Sequence, residues 1–284
     1  MQKVIFIICL FISCMANSQK KELDKELSDN FRIELKSDSE KDFGTEFKRT
    51  TNLENEIVNQ YGFDGIKLIY ESRNSKNYYE LGKFPKECPW YGLNDKSNEE
   101  FIDSNFKPIG NKIPKTISAI KNRCKYIYAE KKDDSWELHY FLNMKLYDNR
   151  DYFKILTGGA PLIKAIPNSN LQTYNWSIPP DLKEFYSVHN GFGELINEYI
   201  LGNEEIKVMA EMMDPICKEQ NVFPKGYSFN ELLEFYPDGT GNAQCFYKNG
   251  SNITVDWDHE IWEISWKVGF FEFIDERMSR IDEE

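Results

Sequence analysis

Asp256-Trp257-Asp258-His259-Glu260 is the run in this chain best suited to acid–base or metal chemistry. Three carboxylates and an imidazole in five positions could share acid and base roles or ligate a hard cation. The spacing argues otherwise. On a strand, residues 256, 258 and 260 project from one face and residues 257 and 259 from the other. His259 would then face away from all three carboxylates, packed beside Trp257. The carboxylates, with Asp238 just upstream, are better read as a face offered to a basic protein partner. A metal-dependent hydrolase using Asp256, Asp258 and Glu260 is the weakest alternative. H-E-x-x-H, G-x-S-x-G and C-x-x-C are all missing from the sequence, and Gly239-x-Gly241 lacks the lysine of a phosphate loop. The chain is therefore expected to be non-catalytic, with no catalytic residue, metal or cofactor.

A hairpin must position this run. Asn249-Gly250 separates the β-prone stretches Ala243–Tyr247 and Ile253–Trp257, the pattern of a tight turn whose central residues need positive φ. Gly239, Gly241 and Gly250 are expected to supply backbone angles. Leu232–Tyr236 and Ile261–Ser265 extend the hairpin into an antiparallel meander, and residues 268–281 carry a helical apolar face through Phe270, Ile274, Met278 and Ile281. This helix and earlier ones are expected to cover one face of the sheet.

Upstream, Pro180 starts an amphipathic helix expected over 180–190, with Leu182, Phe185, Tyr186 and His189 on one side and Gly191 at its end. A second helix is expected over 205–213 and a short strand over 162–166, after the breaker cluster Gly158–Pro161. Residues 52–150 read as a mixed α+β region. They carry strands at 66–70, 126–128 and 136–142, a charged loop at 129–135 and a helix at 113–124. His139, alternating with apolar neighbours, reads as a satisfied strand residue. The fold class is α+β, mostly antiparallel, with packed helices.

Charge is distributed unevenly. Residues 151–284 hold 23 acidic and 10 basic side chains, a net of -13, against 24 acidic and 25 basic over 1–150. So acidic a region repels nucleic acid and anionic membrane and speeds encounter with basic proteins. Residues 1–18 read as a signal peptide, with Lys3, an apolar Val4–Ile12 and small residues at Ala16 and Ser18. Export to the periplasm or the exterior follows. A competing cut before Cys14 would give a lipid-anchored protein. No later segment is long and apolar enough to span a membrane. Residues 19–51 form a charged linker. Cys88, Cys124, Cys217 and Cys245 remain after cleavage. They are either bridged, most economically 88 to 124 and 217 to 245, or four free buried thiols.

The order of elements over residues 150–284 resembles the SUKH superfamily. Ile178-Pro179-Pro180-Asp181-Leu182-Lys183-Glu184-Phe185-Tyr186 followed by His189-Asn190-Gly191 is similar to that family's LP-x-x-(Y/L)-x-x-F … N-G signature. Gly241-Asn242, the strand end at Asp256–Glu260 and the Phe270-Phe271-Glu272-Phe273-Ile274 helix start fit the same order. The resemblance implies an α+β domain over 151–284 with Pro180, Asn190, Gly191, Gly239, Gly241, Asn242, Trp257 and His259 as structural residues. Bacterial members are mostly immunity proteins that bind and neutralise toxins, and fungal members regulate cell-wall synthesis. The implied function is toxin binding without catalysis, with a regulatory role at the cell envelope as the alternative. Most bacterial members are cytosolic, whereas this chain reads as exported.

Overall fold

The structure is a computed structural model. It describes residues 77–145, 151–163, 167–194, 199–221, 223–238, 241–248 and 252–280. The signal peptide 1–18 with Cys14, the linker 19–51, the strand at 66–70, Gly239 and Gly250 lie outside the described residues. Chain contacts divide the protein into one unit of Met1–Asn74 with Asn143–Lys154 and another of Ser75–Leu142 with Ile155–Glu284. Nearly all described residues belong to the second.

Two mostly antiparallel sheets form this α+β fold. The first runs β1 (Tyr78–Glu80), β2 (Cys124–Lys132), β3 (Ser135–Lys145), β4 (Asp151–Gly159), β5 (Phe192–Glu194) and β6 (Tyr199–Ile200). The second runs β7 (Lys207–Val208), β8 (Leu232–Pro237), β9 (Ala243–Tyr247), β10 (Ile253–Asp258) and β11 (Glu263–Gly269). In both sheets the strands lie side by side in chain order. Strands from both sides of residue 150 belong to the first sheet.

The β2–β3 hairpin is longer and tighter than expected. Residues 129–132 continue β2, Glu130 pairs with Glu137 and Lys132 with Ser135, and Asp133 makes the turn at φ 44°. The charges there are tolerated because they pair: Lys132 Nζ lies 2.6 Å from Glu137 across the ladder and 3.6 Å from Glu130 on its own strand. Helix α1 (Asn98–Asn105) was not foreseen, although its signal is local. Ser97 accepts from the Glu100 N–H while Glu100 reaches back to the Ser97 N–H, a complete capping box. Helix α2 (Pro114–Arg123) has no side-chain cap of its own. Asp275, from the far end of the chain, accepts the Thr116 N–H at 2.9 Å and takes that role.

Short helix α3 (Ser169–Thr173) precedes α4 (Pro180–Tyr186). α4 stops well before residue 190, at a Ser187 cap with right-handed φ and ψ. Gly191 does have φ +83°, but it turns the chain into β5, against the Gly202 backbone. The strand expected at 162–166 is not formed at Leu162, and residues 164–166 lie outside the described set. The helix expected over 205–213 is displaced. Lys207–Val208 pairs with β8 instead, and α5 (Ala210–Gln220) starts afterwards, where Met209 and Met213 are buried. The last helix, α6 (Phe270–Ser279), buries Phe270, Ile274 and Met278 as expected, with Phe271, Phe273 and Asp275 besides.

Both faces of the second sheet are covered, not one. On one face Phe235, Phe246 and Phe270 meet with ring centroids 4.8 to 5.3 Å apart. On the other, Cys245 Sγ lies 3.3 Å from Met209 Sδ and Trp257 packs edge-on against Phe229. Cys88, Cys124, Cys217 and Cys245 are free thiols, so neither expected bridge forms. Burial pushes Cys88 up to about 11 and Cys124 up to about 12, which leaves them as packing residues.

Candidate functional site

The expected row of carboxylates is bent. β10 ends at Asp258, and residues 259–262 turn the chain back with Trp262 at φ 58°. Asp258 Oδ1 accepts the N–H groups of Glu260 at 2.8 Å and Ile261 at 3.3 Å, so its carboxylate caps that turn. Glu260 sits exposed in the turn and no longer shares a strand face with Asp256. Trp257 is 2% exposed and donates Nε1–H to Tyr227 Oη, as expected of the packed side.

His259 also turns away from the carboxylates. Asn242 Oδ1 accepts from both its backbone N–H at 3.0 Å and its Nδ1 at 2.8 Å. This clamp ties the turn after β10 to the turn after β8. Gly241 makes it possible: it has φ +112°, and a Cβ there would lie 3.0 Å from the His259 ring. Asp238 Oδ1 accepts the Asn242 N–H at 3.1 Å, closing the β8–β9 turn. Asp238, Asp258 and Glu260 are therefore gathered at one end of the sheet by two clamped turns.

Asp256 belongs to a neighbouring cleft of about 230 Å³ between the sheet and α6. Its floor is Tyr236, Gln244 and Asp256, on three adjacent strands. A register shift between Glu234 and Tyr236 puts Phe235 and Tyr236 both against Phe273 of α6. Gln244 donates Nε2–H to Asp256 Oδ1 at 3.0 Å. The α6 side contributes Glu276, Arg277 and Arg280. Arg280 pairs with Glu276 at 3.2 Å, and Arg277 Nε lies 3.4 Å from Tyr236 Oη. Partial burial, then the Asp238 and Asp258 carboxylates, raise the Asp256 carboxyl above its ordinary range.

Sequence reading placed Asp238 and Asp256 together but missed Gln244, Glu276, Arg277 and Arg280. Only the docking of α6 across β8, β9 and β10 brings those four into one place.

The resemblance-derived residues Pro180, Asn190 and Gly191 lie elsewhere and act structurally. Pro180 occupies the first turn of α4, where its missing N–H costs nothing. Asn190 Oδ1 accepts the Asn203 N–H at 2.7 Å and its Nδ2 donates to Glu204 at 3.0 Å. Nearby, His189 is fully buried. Its Nδ1–H donates to the Gly159 carbonyl at 3.1 Å. Nε2 therefore carries the lone pair, which takes donors from Tyr140 Oη at 2.9 Å and Asn105 Nδ2 at 3.0 Å. Burial lowers its pKa to about 4.

One mixed cluster lies on the first sheet. Glu130, Glu137 and His139 place their ligand atoms within 4.8 Å of one another. Lys132 already supplies a cation there, and the buried His139 ring bonds Thr157 and Glu130 at 3.1 and 3.0 Å. The cluster is an ion-pair network, with His139 satisfied in its strand.

Among the described residues no helix is long and apolar enough to cross a membrane. Comparison of the chain with family models, with curated proteins and with solved structures gave no match in any of the three.

Proposed function

We propose that this chain is a non-catalytic protein-binding module of the immunity type, which holds a basic protein partner, a toxin, on the acidic end of its second sheet. The observation that carries the reading is that two clamped turns gather Asp238, Asp258 and the exposed Glu260 at that end, with Asp256 beside Asp238 and Asp258. Like charges this close repel one another, and the rise of Asp256 registers that repulsion after burial. A cationic partner relieves it. The net charge of -13 over residues 151–284 (23 acidic against 10 basic) supports the same direction of attraction. The resemblance to the SUKH superfamily supports the immunity-type role, and the expected export at residues 1–18 adds that the partner is met outside the cytosol.

The test is co-expression with a toxin encoded beside this chain. Rescue of growth, a stable complex and no turnover of the toxin are expected. Failure to rescue, with both proteins soluble, would count decisively against the reading. Glu260→Lys is the cleanest surface variant, because the Glu260 side chain is exposed, whereas Asp258 also caps a turn. Glu260→Lys should slow association by roughly threefold to tenfold at low salt and leave dissociation nearly unchanged, as rim charges do. Surface plasmon resonance against the captured toxin reads both rates.

A further inference from the structure

Building on the proposed binding role, we infer that the outer edge of β11 takes an extended segment of the basic partner as an added strand, one in which basic and apolar residues alternate. Strand order singles this edge out. Among the described residues the two sheets end in β1, β6, β7 and β11. β1 has three residues, and β6 and β7 have two each. β7 is also met by Asn170, whose Oδ1 accepts the Val208 N–H at 2.7 Å. Short or covered edges keep folded proteins from adding strands. β11 is different: it has seven residues, and among the described strands it pairs with β10 alone. Alternate N–H and C=O groups of such a strand point outward, where an incoming strand can pair with them.

Side chains along the edge narrow the occupant. Residues paired across a ladder share a face, so Glu263 stands beside Asp258, Ser265 beside Asp256 and Ile264 beside Trp257. Glu263 and Ser265 are exposed and Ile264 is half-buried. Glu263 thus carries onto the edge the negative charge that the two clamped turns gather. Ile253, on the Trp257 face, is 42% exposed because its partner Gly269 has no side chain to cover it. A segment that sets cations towards Glu263 and apolar side chains towards Ile264 fits both faces. A second copy of this chain fits worse. Antiparallel pairing of two β11 strands about Ser265 would set Glu263 opposite Lys267. The bulge between Ser265 and Val268 has put these two on different faces, with Lys267 Nζ 5.8 Å over the Tyr247 ring on the Trp257 side. An acidic segment would meet Glu263 and Asp258 as like charges.

The probe is a short capped peptide alternating lysine and valine, titrated into the full chain at physiological salt. One control is the same peptide with its backbone nitrogens methylated along one edge, which keeps charge and side chains but cannot pair. The other carries glutamate in place of lysine. Hydrogen–deuterium exchange at the backbone amides of residues 263–267 is followed by NMR, with Tyr78–Glu80 of β1 as reference. In the free chain alternate amides of β11 should exchange fast. Saturating peptide should slow them at least about tenfold and leave β1 unchanged, and neither control should do so. Glu263→Lys, a change at an exposed side chain, should weaken peptide binding about threefold to tenfold. Equal binding of the methylated peptide, no saturable binding, or β11 amides uniformly protected in the free chain would overturn the inference. Toxin neutralisation with the β11 amides unslowed in the complex overturns this inference alone. Peptide pairing on β11 without toxin neutralisation overturns the wider reading alone.

Discussion

His189 is held on both ring nitrogens and fully buried. Its tautomer is fixed by the Gly159 carbonyl on one side and by two donors on the other. A proton arriving at Nε2 would meet the Asn105 Nδ2 donor head-on, which adds a geometric reason to the burial that lowers its pKa to about 4. The folded pKa is depressed below the unfolded value of 6.5. The stability this neutral ring contributes is therefore fully present above pH 6.5 and is lost progressively as pH falls towards about 4. The full loss amounts to about 3 kcal/mol. NMR titration of the ring should show His189 unprotonated until about pH 4, and urea midpoints should fall through that window. Glu234 and Asp256 work in the opposite sense. Burial raises both carboxyls, so their contribution is lost as pH rises. Tyr140→Phe removes one donor from the ring and should cost about 1–3 kcal/mol in urea unfolding. At Gly158 a Cβ would lie 2.3 Å from His189 Nδ1, so Gly158→Ala should destabilise the same corner.

Elements explain both what the sequence disclosed and what it concealed. α6 was legible because Phe270, Ile274 and Met278 recur at helical spacing, and the structure buries all three. Phe270 is the hub, with rings of Phe185, Phe235, Phe246 and Phe271 at 5.1 to 5.9 Å. Phe270→Ala should cost about 3–5 kcal/mol, read as a fall in the denaturant midpoint. Ile261, 62% exposed, should tolerate Ala with little change and serves as the control. The meander strands β8, β9 and β10 were legible from their Gly- and Asn-rich turns. The segment 205–213 was not. Its apolar residues suit a helix locally, but pairing of Lys207–Val208 with β8 overrides that preference. The candidate site was half legible. Asp238 and Asp256 stand out in the sequence, whereas Gln244 and the α6 charges gain meaning only once the helix crosses the sheet. The bend after Asp258, which removes Glu260 from the row, depends on a side-chain cap that alternation along a strand does not reveal.

At the scale of the molecule, net charge sets how the protein meets others. The formal charge of -12 should make association with a basic partner fall steeply as salt rises. The strand order has a consequence for how the chain reaches this structure. Among the described strands, β1–β2, β4–β5 and β7–β8 close over tens of residues, whereas β2–β3, β8–β9, β9–β10 and β10–β11 are short-range hairpin closures, the kind that make folding fast. The bond from the Thr116 N–H to Asp275 is the opposite case, closing 159 residues. Its loop entropy is overcome only when the sheets already hold the two helices close. Asp275→Ala should therefore act after the rate-limiting barrier. Stopped-flow measurements should show unfolding accelerated about tenfold and folding almost unchanged. The last helix to be made is then the one that locks the first half of the fold, and a chain cut short before α6 would collapse quickly into sheets but not stay closed.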